Sequence, residues 1–395
     1  MVVRLFAPWI GGMERQALRL ARALADRGCS VEIVTGRWYR GTPASEVVDG
    51  IPVIRTETLW EGFGVRGLRR LGGYAFMGSL AAHLWRTRDR YDVIHVHGLN
   101  YHTAVASIVG RRVQRPTVVK LANSGTASDI DKMRTGKLLA SSGALVPAAL
   151  RCDRFVATTD AVRVDLLAAG VEARRIVSIP NGIDMHPMPA RSPTLHVPAE
   201  ILFVGRLHEQ KGVDILIRAL SLVLDRRPAW RVRLRVVGDG PERASLEGLA
   251  RELRVDGSVT FEGAHADVGP FLDAADLFVL PSRAEGLSNA LLEAMARGLP
   301  VVVSAIAANA EVVRDGGDGL LFDPEDPEHL ASVLIRSLGA ESLRDRIGRR
   351  ARLSVGERFA IHEVAERYLR LYGQLVGTDL VPGRPLAADA SEVSA

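Results

Sequence analysis

Short, unbroken apolar runs, separated by stretches long enough for a helix, recur along most of this chain. In the first half they are Asp92 to Val96, Thr117 to Ala122, Phe155 to Thr158 and Arg175 to Ile179. Runs this short and continuous fit strands buried on both faces. Buried strands joined by helices make parallel sheets, so the sequence reads as α/β with Rossmann-like, doubly wound sheets. Val2 to Ala7 and Ser30 to Thr35 read as earlier strands, followed and preceded by the Gly11-Gly12 turn and a helix over Glu14 to Gly28. In that helix Leu18, Leu20, Ala21 and Leu24 fall on one face, and Gly28 closes it.

The pattern then restarts. Ile201 to Val204, Arg231 to Val237, Val259 to Phe261, Leu277 to Leu280, Pro300 to Val303 and Gly319 to Phe322 form a second set of strands, with a helix over Val213 to Leu224. The change falls near Pro180-Asn181-Gly182-Ile183-Asp184, ahead of the proline-rich stretch Pro187 to Pro198. The expected division is an N-terminal Rossmann-like domain over 1–184 and a C-terminal Rossmann-like domain over 185–358. A last helix over about 360–376 packs back on the first domain, and 378–395 is a frayed tail. Open parallel sheets bind ligands at the carboxyl ends of their strands, so a cleft between two such domains is the expected site.

Composition narrows the class. With 395 residues, 47% hydrophobic and 25% charged, the chain can bury two cores and is not a disordered protein. No apolar run approaches the ~18 residues needed to span a bilayer, and nothing at the start reads as a secretory signal. Two cysteines make neither a disulfide framework nor a zinc site, so a cytoplasmic location is expected.

Charge is uneven. Residues 1–185 carry 26 Lys and Arg against 16 Asp and Glu, whereas 186–395 carry 25 against 30. Basic residues cluster at Arg66, Arg69, Arg70, Arg86, Arg88 and Arg90, interleaved with Trp60, Phe63, Tyr74, Phe76 and Trp85. Two readings of residues 60–90 stand. One is a helical stretch lying on an anionic membrane, the inner face of the cell membrane; the other is a helix pair packed on its own domain with a solvated arginine face. No nucleic-acid recognition motif is present, and the acidic second half argues against that partner.

The chemistry concentrates in Ala284-Glu285-Gly286-Leu287-Ser288-Asn289-Ala290-Leu291-Leu292-Glu293, which follows a strand and the Pro281-Ser282 turn. Gly286 lets backbone approach a ligand, and Ser288 and Asn289 are good helix N-caps. A helix starting there offers free N–H groups and a positive dipole end to a diphosphate. Glu285 stands just before the helix and Glu293 about 6 Å along it, so two carboxylates bracket an anion site and can hold hydroxyls on either side. A strand ending in Phe203-Val204-Gly205 is followed by Arg206 and Lys211-Gly212, two cations suited to phosphate oxygens. Gly238-Asp239-Gly240-Pro241 forms a tight turn after the next strand.

With these residues in hand, the chain resembles the family 4 retaining glycosyltransferases of the GT-B fold, the glycosyl transferases group 1. Gly11 to Arg15, Ile179 to Asp184, Gly205 to Leu207 with Lys211-Gly212, Val237 to Pro241, the Glu285-to-Glu293 stretch and Gly298 to Val302 carry the resemblance. It implies that Arg206 and Lys211 bind the donor diphosphate, with Gly205 beside them, and that Glu293 binds the ribose. It also implies that Glu285 and the backbone of Gly286, Leu287, Ser288 and Asn289 hold the transferred sugar and phosphates. Gly12 would close over the diphosphate, and the loops at Gly238 and at Phe261-Glu262-Gly263 would flank the base. On that resemblance the first domain would bind the acceptor and the second the nucleotide-sugar, UDP- or GDP-linked, with no cofactor and no metal, and the acceptor would be a saccharide or a lipid-linked saccharide.

Catalysis is assigned to Glu285, Arg206 and Lys211, with neither a covalent nucleophile nor a conventional protein base. Many family members carry a histidine just after the fourth strand. Here the segment reads Leu121-Ala122-Asn123-Ser124-Gly125, so Asn123, Ser124 or the nearby His97 are the candidates for that space. His95 and His97, two apart on a strand, share a face. Asp129 and Asp131, after Ser128, read as a cap or turn pair. The alternatives are a non-catalytic nucleotide-sugar-binding subunit and another GT-B enzyme such as an epimerase.

Overall fold

A computed structural model describes residues 1–8, 11–59, 69–121, 128–135, 142–185 and 194–377. The chain divides into two units, Met1–Gly182 with Ile361–Ala395, and Ile183–Ala360.

Unit 1 contains β1 (Val2–Val3), β2 (Ile33–Gly36), β3 (Ser45–Val48), β4 (Ile51–Thr56), β5 (Ile94–His97), β6 (Thr117–Leu121), β7 (Arg154–Ala157) and β8 (Ile176–Ser178). They form one sheet in the order β3-β4-β2-β1-β5-β6-β7-β8, parallel except that β3 runs against β4. The helices are α1 (Gly12–Ala25), α2 (Arg69–Arg86), α3 (Tyr101–Arg112), α4 (Asp129–Arg134), α5 (Val146–Ala149) and α6 (Asp160–Ala168), together with the C-terminal helix Ile361–Val376. That last helix contributes Val364, Ala365, Tyr368, Leu369 and Leu371 to a core shared with Leu20 and Leu24 of α1. Arg27 secures its outer side, with Nε 2.6 Å from Glu366.

Three expectations need correction here. The first strand stops at Val3 rather than Ala7. Beyond it the Arg4 carbonyl accepts side-chain donors, Trp38 Nε1 at 2.7 Å and Thr35 Oγ1 at 3.2 Å, in place of a ladder bond. The hairpin β3–β4 was not expected. It turns on Asp49-Gly50, both at positive φ (48° and 81°), the pair that a two-residue hairpin turn favours. Asp129 and Asp131 lie inside α4, with Ser128 as its cap accepting from Ile130 N–H at 3.3 Å.

Unit 2 contains β9 (Ala199–Val204), β10 (Val232–Val237), β11 (Val259–Gly263), β12 (Leu277–Leu280), β13 (Val301–Ser304) and β14 (Leu320–Phe322). The order is β11-β10-β9-β12-β13-β14, all parallel. Helices α7 (Val213–Arg226), α8 (Arg243–Glu252), α9 (Gly269–Ala274), α10 (Asn289–Ala296), α11 (Ala307–Ala310), α12 (Pro327–Gly339) and α13 (Glu341–Phe359) connect and cover the strands. Phe203, Leu216, Phe278, Leu291 and Met295 are fully buried in its core. Successive strands run outward from β9 in one direction and from β12 in the other. The junction of β9 and β12 is thus the switch point, where the strand order reverses. Ile183 and Ala360 form a parallel bridge where the chain enters and leaves this unit, and Ile183 N–H donates to Phe359 O at 2.8 Å.

Residues 60–68 of the basic stretch lie outside the described residues. Within α2, Leu71, Tyr74 and Trp85 remain 47%, 44% and 47% exposed, while Phe76, Leu80 and Leu84 are buried. The free side of α2 therefore carries apolar surface as well as Arg86. The Arg88 guanidinium lies over the Trp85 ring, 6.0 Å from its centroid. Among the described residues no helix is long and apolar enough to cross a membrane.

Candidate active site

The expected donor residues of unit 2 all follow the carboxyl ends of its strands. After β9 the chain passes Gly205 and Arg206 into a short turn, Glu209–Lys211, closed by Gly212. After β12 it passes Pro281 and Ser282 to Glu285 and then to the cap of α10. Because β9 and β12 are neighbours, these loops meet at the switch point. Gln210 Nε2 donates to Ala284 O at 2.8 Å, and Arg283 N–H donates to Gln210 O at 2.8 Å. Arg283 also grips Asp214 with two bonds, 2.9 and 2.8 Å. Burial pushes the Asp214 carboxyl up, but the Arg283 hydrogen bonds, the Arg283 charge and the backbone N–H groups of Asp214 and Ile215 together hold it below its ordinary value.

Lys211 and Glu285 form the centre. Lys211 Nζ is 2.5 Å from Glu285 Oε1, and Ser282 Oγ donates to the same oxygen at 2.7 Å. The Glu285 side chain is 6% exposed and that of Lys211 22%. Arg206 is exposed on the same loop and makes no ion pair among the described residues. Ser288 caps α10, its Oγ accepting from Leu291 N–H at 3.4 Å. Gly286, Leu287 and Ser288 are buried along the approach, Asn289 is the first helical residue, and Glu293 is buried within the helix. The first turn of α10 thus follows within four residues of Glu285.

The outer loops close on the same end of the sheet. Gly205 N–H donates to Val237 O at 3.0 Å, Leu207 N–H to Asp239 O at 3.0 Å, and Gly238 N–H to Gly263 O at 2.8 Å. Gly238 sits at φ +144°, and a Cβ there would lie 1.8 Å from Gly205 O. Phe261, Glu262 and Gly263, expected as a turn, are instead the last residues of β11, and Arg243 ties them to the loop after β10, reaching Phe261 O at 3.4 Å and Asp239 at 3.8 Å.

In unit 1, Gly12 begins α1 behind the Gly11 cap. Asn123 and Ser124 lie outside the described residues. His97 does not stand open. It is 1% exposed and stacked on His95, with ring centroids 4.4 Å apart. Both rings lie on one sheet face, and Tyr372 of the C-terminal helix hydrogen-bonds His95 Nδ1 at 2.7 Å. Neither His97 ring nitrogen has a hydrogen-bond partner among the described residues. Burial, then Lys120, pushes His95 well below its ordinary value; for His97 burial leads, followed by His95. Lys120 pairs with His97 across the strands, and burial, then Arg19, brings its amine down to about 7.

This cluster sets a pH dependence. Between pH 10.5 and about 7 the unfolded chain holds a proton on Lys120 that the folded one does not, and below 6.5 the same holds for both histidines. Stability contributed here therefore falls as pH falls, by up to about 1.4 kcal/mol per pH unit for each group within its window. The urea midpoint of unit 1 should rise from pH 5 to pH 9. Lys120→Met should flatten the part above pH 7; an unchanged slope in that variant would refute the assignment.

Comparison with known proteins identifies the family. Residues 198–339 match the family described as glycosyl transferases group 1, and residues 11–182 match the glycosyl transferase 4-like domain. The D-inositol 3-phosphate glycosyltransferase of Kineococcus radiotolerans is 31% identical over 401 residues, covering 93% of this chain and 91% of that one. The GDP-mannose:cellobiosyl-diphosphopolyprenol alpha-mannosyltransferase of Komagataeibacter xylinus is 25% identical, covering 98% and 96%. The architecture is that of a two-unit α/β protein, each unit built on a largely parallel sheet. The chain belongs to the group 1 glycosyltransferases, family 4, of the GT-B fold. Anabaena Alr3699/HepE, solved in complex with UDP, has the same fold, with a TM-score of 0.72, 21% identity and 94% and 99% coverage. So does WaaG, a glycosyltransferase involved in lipopolysaccharide biosynthesis, with a TM-score of 0.69, 22% identity and 95% and 99% coverage.

Sequence reasoning missed Gln210, Arg283 and Asp214, which hold the two loops together, and Ser282, which bonds Glu285 within one of them. The only signal was a serine after a proline turn and an arginine between two candidate residues. The partners of Gln210 and Arg283 lie 69 to 74 residues away along the chain.

Proposed function

We propose that this glycosyltransferase moves a sugar from a UDP- or GDP-sugar to a hydroxyl of a saccharide or lipid-linked acceptor, with retention of configuration and without a metal. The observation that carries the reading is the Lys211–Glu285 pair, 2.5 Å apart at the switch point beside the start of α10. Lys211, Arg206 and the N–H groups of α10 neutralise a departing diphosphate. Glu285 holds hydroxyls of the transferred sugar and Glu293 those of the ribose. The acceptor oxygen bonds to the anomeric carbon, the bond from that carbon to the phosphate oxygen breaks, and the acceptor proton passes to the departing phosphate.

The donor is tested by thermal shift with UDP, GDP, ADP and TDP. A ligand at a hundredfold excess over its Kd stabilises by ~2.7 kcal/mol. One or two of the four should raise Tm, and transfer should persist in EDTA. No shift with any of them, or activity lost in EDTA and restored by Mg²⁺ or Mn²⁺, would refute the corresponding part.

We also propose that α2 and the arginines after it rest on the anionic inner leaflet of the cell membrane, bringing the enzyme to a lipid-linked acceptor. The exposed Leu71, Tyr74 and Trp85 beside Arg86 and Arg88 support this. Each arginine near such a surface contributes ~1 kcal/mol. Arg86→Glu with Arg88→Glu should cut sedimentation with phosphatidylserine vesicles at least tenfold. Binding that is absent in the native protein, or unchanged in the variant, would leave α2 as a solvated helix.

A further inference from the structure

A chain of buried polar side chains stands behind Glu285. Asn309 of α11 is 1% exposed, and Ser304 at the end of β13 and Ser282 after β12 are 0% exposed. Asn309 Nδ2 donates to Ser304 O at 3.0 Å and to Ser304 Oγ at 3.1 Å. Ser304 Oγ donates to Ser282 O at 2.5 Å, and Ser282 Oγ donates to Glu285 Oε1 at 2.7 Å. Three adjoining segments of unit 2 are thereby linked to one carboxylate oxygen.

Burying polar groups costs free energy unless each finds a partner. Alanine or valine would fill the same volume without that cost, so packing alone does not account for three polar residues in series. The chain does fix geometry. Asn309 orients the Ser304 hydroxyl, which holds the Ser282 carbonyl and so the rotation of the Pro281-Ser282 turn. The turn then sets where Ser282 Oγ meets Glu285.

We propose that Ser282, Ser304 and Asn309 are positioning residues that fix the Glu285 carboxylate for the transferred sugar. This rests on the reading of Glu285 as the sugar-holding group. Small displacements of a positioning group cost ten- to hundredfold in rate. Ser282→Ala and Asn309→Leu should therefore lower kcat ten- to hundredfold for transfer or donor hydrolysis. Affinity for UDP or GDP, which lack the sugar, should stay within about threefold by calorimetry. Ser282→Thr, which keeps the hydroxyl, should recover most of the rate, and Asn309→Leu should cost nothing further in a Glu285→Ala background.

A second readout needs no ligand. In urea unfolding, Ser282→Ala and Glu285→Ala should be non-additive by about fivefold or more in the unfolding constant. Equal rate losses in both backgrounds, or additive unfolding, would overturn the proposal and make the chain structural. Absence of any nucleoside diphosphate binding by the native protein would instead remove the donor reading, and the unfolding cycle would still decide whether the chain holds Glu285.

Discussion

Glu285→Ala is expected to lower the rate of sugar transfer 10²- to 10³-fold while leaving nucleoside diphosphate affinity within a few-fold. The carboxylate is almost wholly buried, and one of its oxygens meets Lys211 at 2.5 Å and Ser282 at 2.7 Å. A group so fixed adds little by random contact and much by orientation; removing one such electrostatic partner costs about 2.7–4 kcal/mol of transition-state stabilisation. On the reading proposed above, the diphosphate is held by Lys211, Arg206 and the first turn of α10, so ground-state binding of the nucleotide should survive. Glu285→Gln keeps the shape and the Ser282 bond and should lose less, about tenfold. Initial rates of product formation by mass spectrometry, beside calorimetry with UDP and GDP, check both. Native rates in the alanine variant would remove Glu285 from the reaction.

The second large effect is on stability. Gly238→Ala should destabilise unit 2 by about 3 kcal/mol or more, combining a disfavoured backbone with a clash. Its φ of +144° admits few side chains, and the added carbon would sit 1.8 Å from Gly205 O, a backbone atom that is itself pinned through Gly205 N–H to Val237 O. Relief would require parting the loops after β9 and β10. Gly248 provides the contrast. It lies within α8 with nothing within 4 Å of its added carbon, so Gly248→Ala should stabilise by about 0.5–1 kcal/mol. Chemical denaturation of the two variants should move in opposite directions, and equal shifts would contradict the geometry.

These cases mark where the sequence is legible. The α10 cap, the β12 strand before it and the cation loop after β9 are local signals, each set by residues within a dozen positions. Parallel topology then brings them together, because adjacent parallel strands deliver their following loops to one edge. The Gly205–Gly238 approach is not local, since nothing near Gly238 states which carbonyl it must clear. The polar chain from Asn309 to Glu285 is hidden for the same reason. Ser304 closes a run of three valines and reads as the end of a strand. His97 shows a different limit. Strand alternation puts it on the face of His95, as expected, but whether that face is open or covered depends on a helix more than 260 residues later. The β3–β4 hairpin was legible from Asp49-Gly50 and was overlooked because the surrounding pattern favoured helical crossovers.

The bridge between Ile183 and Ala360 has a consequence for how such a chain can be taken apart. Strands β9 to β14 all lie between those two residues, and the eight strands of the other sheet all lie outside them. The second sheet is thus an insert whose ends touch. Cutting at both points severs no strand from its neighbours, and rejoining Gly182 to Ile361 restores a continuous polypeptide around the first sheet. Excision and grafting, rather than truncation from either terminus, is the way to obtain each half of this enzyme by itself.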